Sequence, residues 1–280
     1  MKFSCDKYVL QQAAASAARA AAAKSPIPTL EGLLIEAGAS VRITGYDLKK
    51  AIYTTIDADI PEPGSVLIGA RLFCEMLRRM PDGIVTVEAE NGTVSVKCGK
   101  AAFNLVGLSA DDYPDLPTVE AENGVSLPQD LLKKMINECS FAVSTNESRP
   151  VYMGTLFEIE NNVLTMVSVD GYRLALRREA VEGYGDDCSF IVPGTALSDL
   201  ERLCGDSDER VVLSVGSKHI SFTVGNTVIL SRRLEGDFLN YKKAFRSRSA
   251  SRSRPRARIC SRSSSVCRSS LTAKITRPCA

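Results

Sequence analysis

Apolar and polar residues alternate along residues 84–89 and again through Val94, Val96 and Cys98, and Asn91-Gly92 joins the two runs. A period of two sets one face of a strand against a core and the other toward water, and Asn-Gly supplies the paired positive-φ residues of a type I′ turn. A hairpin is predicted there, and a second at Gly99-Lys100. The same pattern returns as residues 211–215, the turn Gly216-Ser217-Lys218, residues 220–224, the turn Gly225-Asn226 and residues 228–231. Two other stretches have the period of a helix. Leu72, Phe73, Met76, Leu77 and Met80 make one apolar stripe, opposite Arg71, Glu75, Arg78 and Arg79. Leu131, Leu132, Met135, Ile136 and Cys139 make another, opposite Lys133, Lys134, Asn137 and Glu138. Such stripes need an apolar surface to cover. The Ala-rich residues 13–23, broken by Arg19, read as a further helix. Mixed hairpins and amphipathic helices indicate an α+β fold, with two helices laid on one face of an antiparallel sheet.

The pattern is written twice. Residues 32–36, a turn and residues 41–47 are answered by residues 154–159, a turn and residues 164–170, and residues 72–79 by residues 196–203. The halves close on Asp112-Tyr113-Pro114 and Asp237-Phe238-Leu239. An offset near 123 residues is too long for a solenoid unit and suits a duplicated domain. Two tandem domains are expected, residues 1–121 and 122–245, followed by a disordered tail, residues 246–280.

Composition sharpens this division. Of the 280 residues 44% are hydrophobic, enough for ordinary cores, and no run approaches the roughly 20 apolar residues of a membrane span. Nine cysteines occur without a CxxC. With no export signal, reduced thiols and a cytoplasmic location are expected. The net charge of +2 averages two unlike parts, because the tail carries nine Arg, one Lys and no acid, while the rest sets 25 basic against 33 acidic residues. An acidic body does not wrap nucleic acid by bulk attraction, so any DNA function has to come from local basic faces.

Catalytic chemistry is scarce. His219 is the single histidine and falls in a hairpin, which leaves no histidine zinc site or triad. Walker and GxGxxG loops are absent. Ser4-Cys5-Asp6-Lys7 fits an SxxK spacing but opens the first predicted strand, and the acid pairs Asp111-Asp112 and Asp186-Asp187 are turn-like. No intrinsic enzymatic activity is expected, and neither a metal nor a cofactor.

Met1-Lys2-Phe3, residues 44–48, Asp112-Tyr113-Pro114, residues 149–154 and above all Ser168-Val169-Asp170-Gly171-Tyr172-Arg173-Leu174-Ala175 resemble the bacterial beta sliding clamp family, the processivity subunit of DNA polymerase III. The resemblance covers about residues 1–245. It implies the DNA clamp fold, in which three copies of one domain form a subunit and two subunits close head to tail around duplex DNA. It also implies partners: double-stranded DNA, the catalytic subunit of DNA polymerase III, the clamp loader and other proteins bearing a clamp-binding motif. By the same resemblance the DNA-facing positions are Lys24, Arg71, Arg78, Lys133, Lys134 and Asn146. The groove for the partners' linear motif is implied at Arg149, Tyr152, Val169, Gly171, Tyr172, Arg173, Leu174, Leu239, Lys243 and Ala244. Leu239 and Lys243 stand where Pro and Arg are usual in the family.

After Phe245 a third copy of the pattern does not follow. The Arg/Ser-rich residues 246–280 have the composition of a GC-rich gene read out of frame, and a native basic arm that binds nucleic acid nonspecifically is the alternative. On this reading the third domain is absent, and the family's two-subunit ring is not expected to close. Three two-domain chains would supply six domains, but the sequence reveals no matching edges for such a ring.

Overall fold

The computed structural model describes residues 1–119, 124–181 and 187–243. Ala244 and the whole Arg/Ser-rich tail, in either of its readings, lie outside the described residues. The first half runs β1 (Lys2–Asp6), α1 (Lys7–Ala17), β2 (Gly32–Ala37), β3 (Val41–Tyr46), β4 (Lys50–Ile56), β5 (Asp59–Glu62), β6 (Gly64–Gly69), α2 (Ala70–Arg79), β7 (Ile84–Glu90), β8 (Thr93–Cys98) and β9 (Ala101–Leu108). The second runs β10 (Gly124–Pro128), α3 (Gln129–Ser140), β11 (Gly154–Glu160), β12 (Val163–Val169), β13 (Leu174–Ala180), β14 (Cys188–Pro193), α4 (Gly194–Leu203), β15 (Arg210–Val215), β16 (His219–Val224) and β17 (Thr227–Arg232). Order and type match throughout, except that β5 has no counterpart among the described residues.

Local chemistry explains the boundaries. Asp6 caps α1, its carboxylate accepting the N–H groups of Tyr8 at 2.8 Å and Val9 at 3.4 Å. The Ala-rich pattern predicts helix to residue 23, yet α1 stops at Ala17. Beyond it the Ala22 N–H reaches across to the Leu30 carbonyl, a contact a continuing helix cannot make. The Asn91-Gly92 turn has φ of 49° and 74°, as its type requires, and Asn161-Asn162 repeats it at 51° and 59°. In α2 the buried stripe is Ala70, Phe73, Met76 and Leu77, whereas Leu72, assigned to that stripe from the sequence, is 58% exposed. It lies at the margin of the stripe, where no other described element covers it.

Strands of the second half divide between two sheets, which periodicity cannot distinguish from one. A 13-stranded sheet runs in the order β10, β15, β16, β17, β4, β3, β2, β6, β9, β8, β7, β1, β5, and β13, β12, β11, β14 form a separate four-stranded sheet. The long sheet crosses between the halves where β17 pairs antiparallel with β4. There Ile229 lies opposite Ile52, both fully buried, and the Thr54 and Thr227 hydroxyls meet at 2.9 Å. Beside these strands Asp199 of α4 receives Lys50 Nζ and lies 4.0 Å from Arg19. One core packs α1 and α2 on the inner faces of the first half, and a second packs α3 and α4 in the other.

Gly45 is the tightest point of this packing. A Cβ there would lie 2.1 Å from the Ala17 carbonyl oxygen, at the end of α1. Gly45→Ala is therefore expected to cost about 3 kcal/mol, because backbone has to move rather than a side chain. Thermal unfolding of the purified variant measures this, and an unchanged midpoint would remove the constraint.

Candidate functional site

The outer face of the four-stranded sheet carries an apolar cluster facing away from the helices. Val169 and Leu174 are direct partners across β12 and β13, each 6% exposed, and with Leu156, Val167, Ile191 and Tyr241 they form its floor. Val151, Tyr152, Leu176, Leu234 and Phe238 pack around them. Tyr152 and Phe238 meet edge to face at 5.6 Å. A cavity of about 590 Å³ opens beside the cluster, lined by Leu156 and Ile191 and by residues 233–242.

The loop at the rim is built by one acid. Asp170 Oδ1 accepts the N–H groups of Tyr172 at 3.0 Å and Arg173 at 3.1 Å, while Oδ2 accepts Arg173 Nε at 2.7 Å. Gly171 turns the chain with φ of 92°. Desolvation disfavours the charged carboxylate, but these hydrogen bonds outweigh it and hold the Asp170 carboxyl below its ordinary range. The group is depressed in the fold, so its contribution is present above the usual carboxylate range and is lost as pH falls through the lowered value. On the opposite rim Tyr241, 3% exposed, donates its hydroxyl to Glu158, and Lys242 Nζ lies 3.1 Å from the same carboxylate. Desolvation opposes ionisation of Glu158 too, and the bonds from Tyr241 and Lys242 prevail, so its carboxyl is also held low.

Of the residues assigned to the groove from the sequence, Val169 and Leu174 form the floor and Tyr152 a wall. Gly171, Tyr172 and Arg173 form the loop, with the Tyr172 side chain 88% exposed. Leu239 lines the cavity; Arg149 lies 6.0 Å over the Tyr152 ring, and Lys243 is exposed. Leu156, Ile191, Phe238 and Tyr241 were missed. The signal for the first two was present, since β11, β12 and β14 are apolar on both faces, as doubly covered strands are.

The repeat explains why, among the described residues, only the second half keeps this face open. Tyr46, Ala51, Leu67 and Leu30 occupy the corresponding places in the first half, where Tyr113 and Leu230 cover them. Leu230 comes from β17, so the second half closes the groove of the first.

The basic positions are on and beside the helices. Arg71, Arg78 and Lys134 are exposed, and Lys24 and Asn146 occupy equivalent exposed loops after α1 and α3. Lys133 differs from the expectation of an open cation, because its Nζ is 2.7 Å from Asp206 and that hydrogen bond raises its pKa. On α4 Arg202 is exposed, in helical register with the exposed Thr195 and Ser198.

Four of the described thiols do not suit nucleophilic chemistry. Burial pushes Cys5 and Cys139 up to about 12, and Cys74 and Cys204 up to about 11. No group of three His, Cys, Asp or Glu residues suited to a metal occurs among the described residues. None of the described helices is long and apolar enough to cross a membrane.

Family models for the DNA polymerase III beta subunit match twice, the N-terminal domain over residues 1–117 and the central domain over residues 126–240. The beta sliding clamp of Bacillus subtilis is 33% identical over 250 residues, which are 85% of this chain and 66% of that protein. That of Staphylococcus epidermidis is 34% identical over 237 residues, 81% and 63% of the two chains. The chain thus spans about two thirds of the length of the curated relatives it matches. Among solved structures, the DNA polymerase sliding clamp from Bacillus subtilis superposes with a TM-score of 0.86 at 32% identity, covering 89% of this chain and 68% of that one. A sliding clamp from Pseudomonas aeruginosa bound to griselimycin gives 0.84 at 26% identity, covering 89% and 69%.

Proposed function

Because the chain belongs to the DNA polymerase III beta subunit family, the beta sliding clamps, we propose that it is a non-catalytic processivity clamp, which tethers replication proteins to duplex DNA. The observation that carries this reading is the outer groove at the Asp170 loop, an apolar floor edged by Arg149, Arg173, Lys242 and Lys243. A short peptide with aliphatic anchors needs such a surface. The DNA polymerase III catalytic subunit, the clamp loader and other proteins with a clamp-binding motif are its partners on this reading, in the cytoplasm.

DNA is held on this reading by enclosure rather than by tight contact. Each phosphate contact that adds affinity also adds friction to sliding, so an acidic body with exposed cations on its helices suits the task. Lys24, Arg71, Arg78, Lys134 and Asn146 face the duplex, with Lys133 partly neutralised by Asp206 and Arg202 extending the same surface from α4. Reversing Arg71, Arg78, Lys133 and Lys134 to Glu together should shorten retention on closed circular DNA about tenfold or more at moderate salt. Gel filtration of the DNA complex measures retention, and an undiminished complex would reject the lining role.

A further inference from the structure

The joint between the two halves contains a cavity of its own. Tyr113 and Leu230 seal the apolar floor of the first half, and beside that seal a space of about 690 Å³ lies between β2, β3 and β4 on one side and β15, β16 and β17 on the other. The segment of residues 110–119 forms its third wall. Leu34, Tyr53, Val228 and Leu230 give it apolar surface, while Ser65, Ser214, Ser221 and Thr223 add hydroxyls. Such a volume is typical of ligand pockets. Val228 lies opposite Tyr53, and Ser221 opposite both Leu230 and Ser214, so the cavity exists only because β17 joins β4. It shares no lining residue with the groove at the Asp170 loop.

Buried polar atoms without a partner gather here. Arg42 Nε, Thr44 Oγ1 and Tyr113 OH are buried and make no hydrogen bond. Arg42 and Tyr113 line the cavity, and Thr44, two residues after Arg42 on β3, shares its face of the strand. Tyr113 is 8% exposed. Native folds leave few such atoms, and each calls for an explanation. Burial, with Tyr46, Asp47 and Glu36 nearby, pushes the Tyr113 hydroxyl above its ordinary range, so at neutral pH it is a protonated donor. Arg42 stands opposite Glu36 across β3 and β2 without forming an ion pair with it, its guanidinium lying instead 3.9 Å over the Tyr53 ring. Glu36, Asp111 and Asp115 line the same cavity, and none of them forms an ion pair among the described residues.

These groups define what fits. Arg42 Nε and the Tyr113 hydroxyl donate and need acceptor oxygens, whereas Glu36 accepts and needs an N–H group or a cation. A simple anion would meet Glu36, and a simple cation would meet Arg42. A peptide backbone presents carbonyl and N–H groups in alternation and satisfies both. Asp111 and Asp115, exposed at the mouth, favour a basic side chain on it.

We propose that this cavity binds a short basic peptide segment of a partner protein, its backbone carbonyls on Arg42 and Tyr113, its N–H on Glu36 and a Lys or Arg side chain at Asp111 and Asp115. The site is separate from the groove at the Asp170 loop, and the proposal does not require that groove or the DNA-facing residues to act as described above.

An array of capped five-residue peptides with Lys, Glu or Leu at each position, probed with the full 280-residue chain, tests it. Lys-bearing peptides are expected to be retained. Calorimetry with the best of them should show binding about fivefold weaker for Tyr113→Phe and about tenfold weaker for Glu36→Gln, and an excess of clamp-motif peptide should not displace it. Thermal unfolding separates binding from folding. Because the Tyr113 hydroxyl is unpaired in the free chain, Tyr113→Phe should keep or raise the midpoint in the absence of peptide. A midpoint lowered by several degrees would show that the hydroxyl is already bonded in the free fold, and would overturn the proposal. So would an array that retains only acidic peptides or none, displacement by the clamp-motif peptide, or binding that both substitutions leave intact.

Discussion

Leu174→Asp is expected to weaken binding of a clamp-motif peptide at least about 100-fold, equivalent to roughly 2.7 kcal/mol. Leu174 lies in the floor, 6% exposed, directly opposite Val169 and in one cluster with Leu156, Val167 and Ile191. A carboxylate there removes the contact surface for an aliphatic anchor and demands hydration in the same place. Tyr172→Ala separates floor from rim, because Tyr172 is 88% exposed and its loss leaves the cluster intact. That variant should bind within about threefold of the parent, as rim positions generally do. Fluorescence anisotropy with a labelled peptide measures both, and circular dichroism verifies folding. Equal affinity of the Leu174 variant and the parent would dismiss the groove as the peptide site.

The second large effect concerns the joint between the halves. Asp199→Ala should lower unfolding free energy by about 3 kcal/mol, because it strands the Lys50 ammonium in a place that is 15% exposed at the side chain. Arg19, 35% exposed, loses its counter-ion too, but water compensates it better. Removing both charges tests the cause: Asp199→Leu with Lys50→Met should recover most of the loss, since an apolar pair needs no partner. Urea unfolding of the three proteins gives the comparison. If the double variant is as unstable as the single one, packing of α4 rather than the ion pair holds the joint.

Local pattern was a good guide wherever a residue's role depends on its near neighbours. The hairpin at Asn91-Gly92, the helix of Phe73, Met76 and Leu77 and the turn after Asp170 rest on spacing and on side chains that bond within a few residues, so they are legible before folding. Leu72 misled because a helical stripe has margins, and whether a margin is covered depends on a neighbour that the helix itself does not encode. Lys133 misled in the same way, its partner Asp206 being 73 residues distant. The groove was named through the segment around Gly171 and Leu174, but Ile191 and Phe238 belong to it by strand order and by the path of the chain after β17, which no local window contains.

By itself the sequence determined the duplication, the type and order of elements in each copy, the identity of the turn-forming residues and the family. Each of these is an expression of short-range sterics and periodic burial, repeated at a constant offset. Only the tertiary structure decided that β17 joins β4, that Asp199 meets Lys50, and that the face closed by Leu230 in the first half stays open in the second. Strand pairing is satisfied equally well by any edge of suitable register, so the choice among edges depends on how whole domains pack and cannot be read from either strand alone.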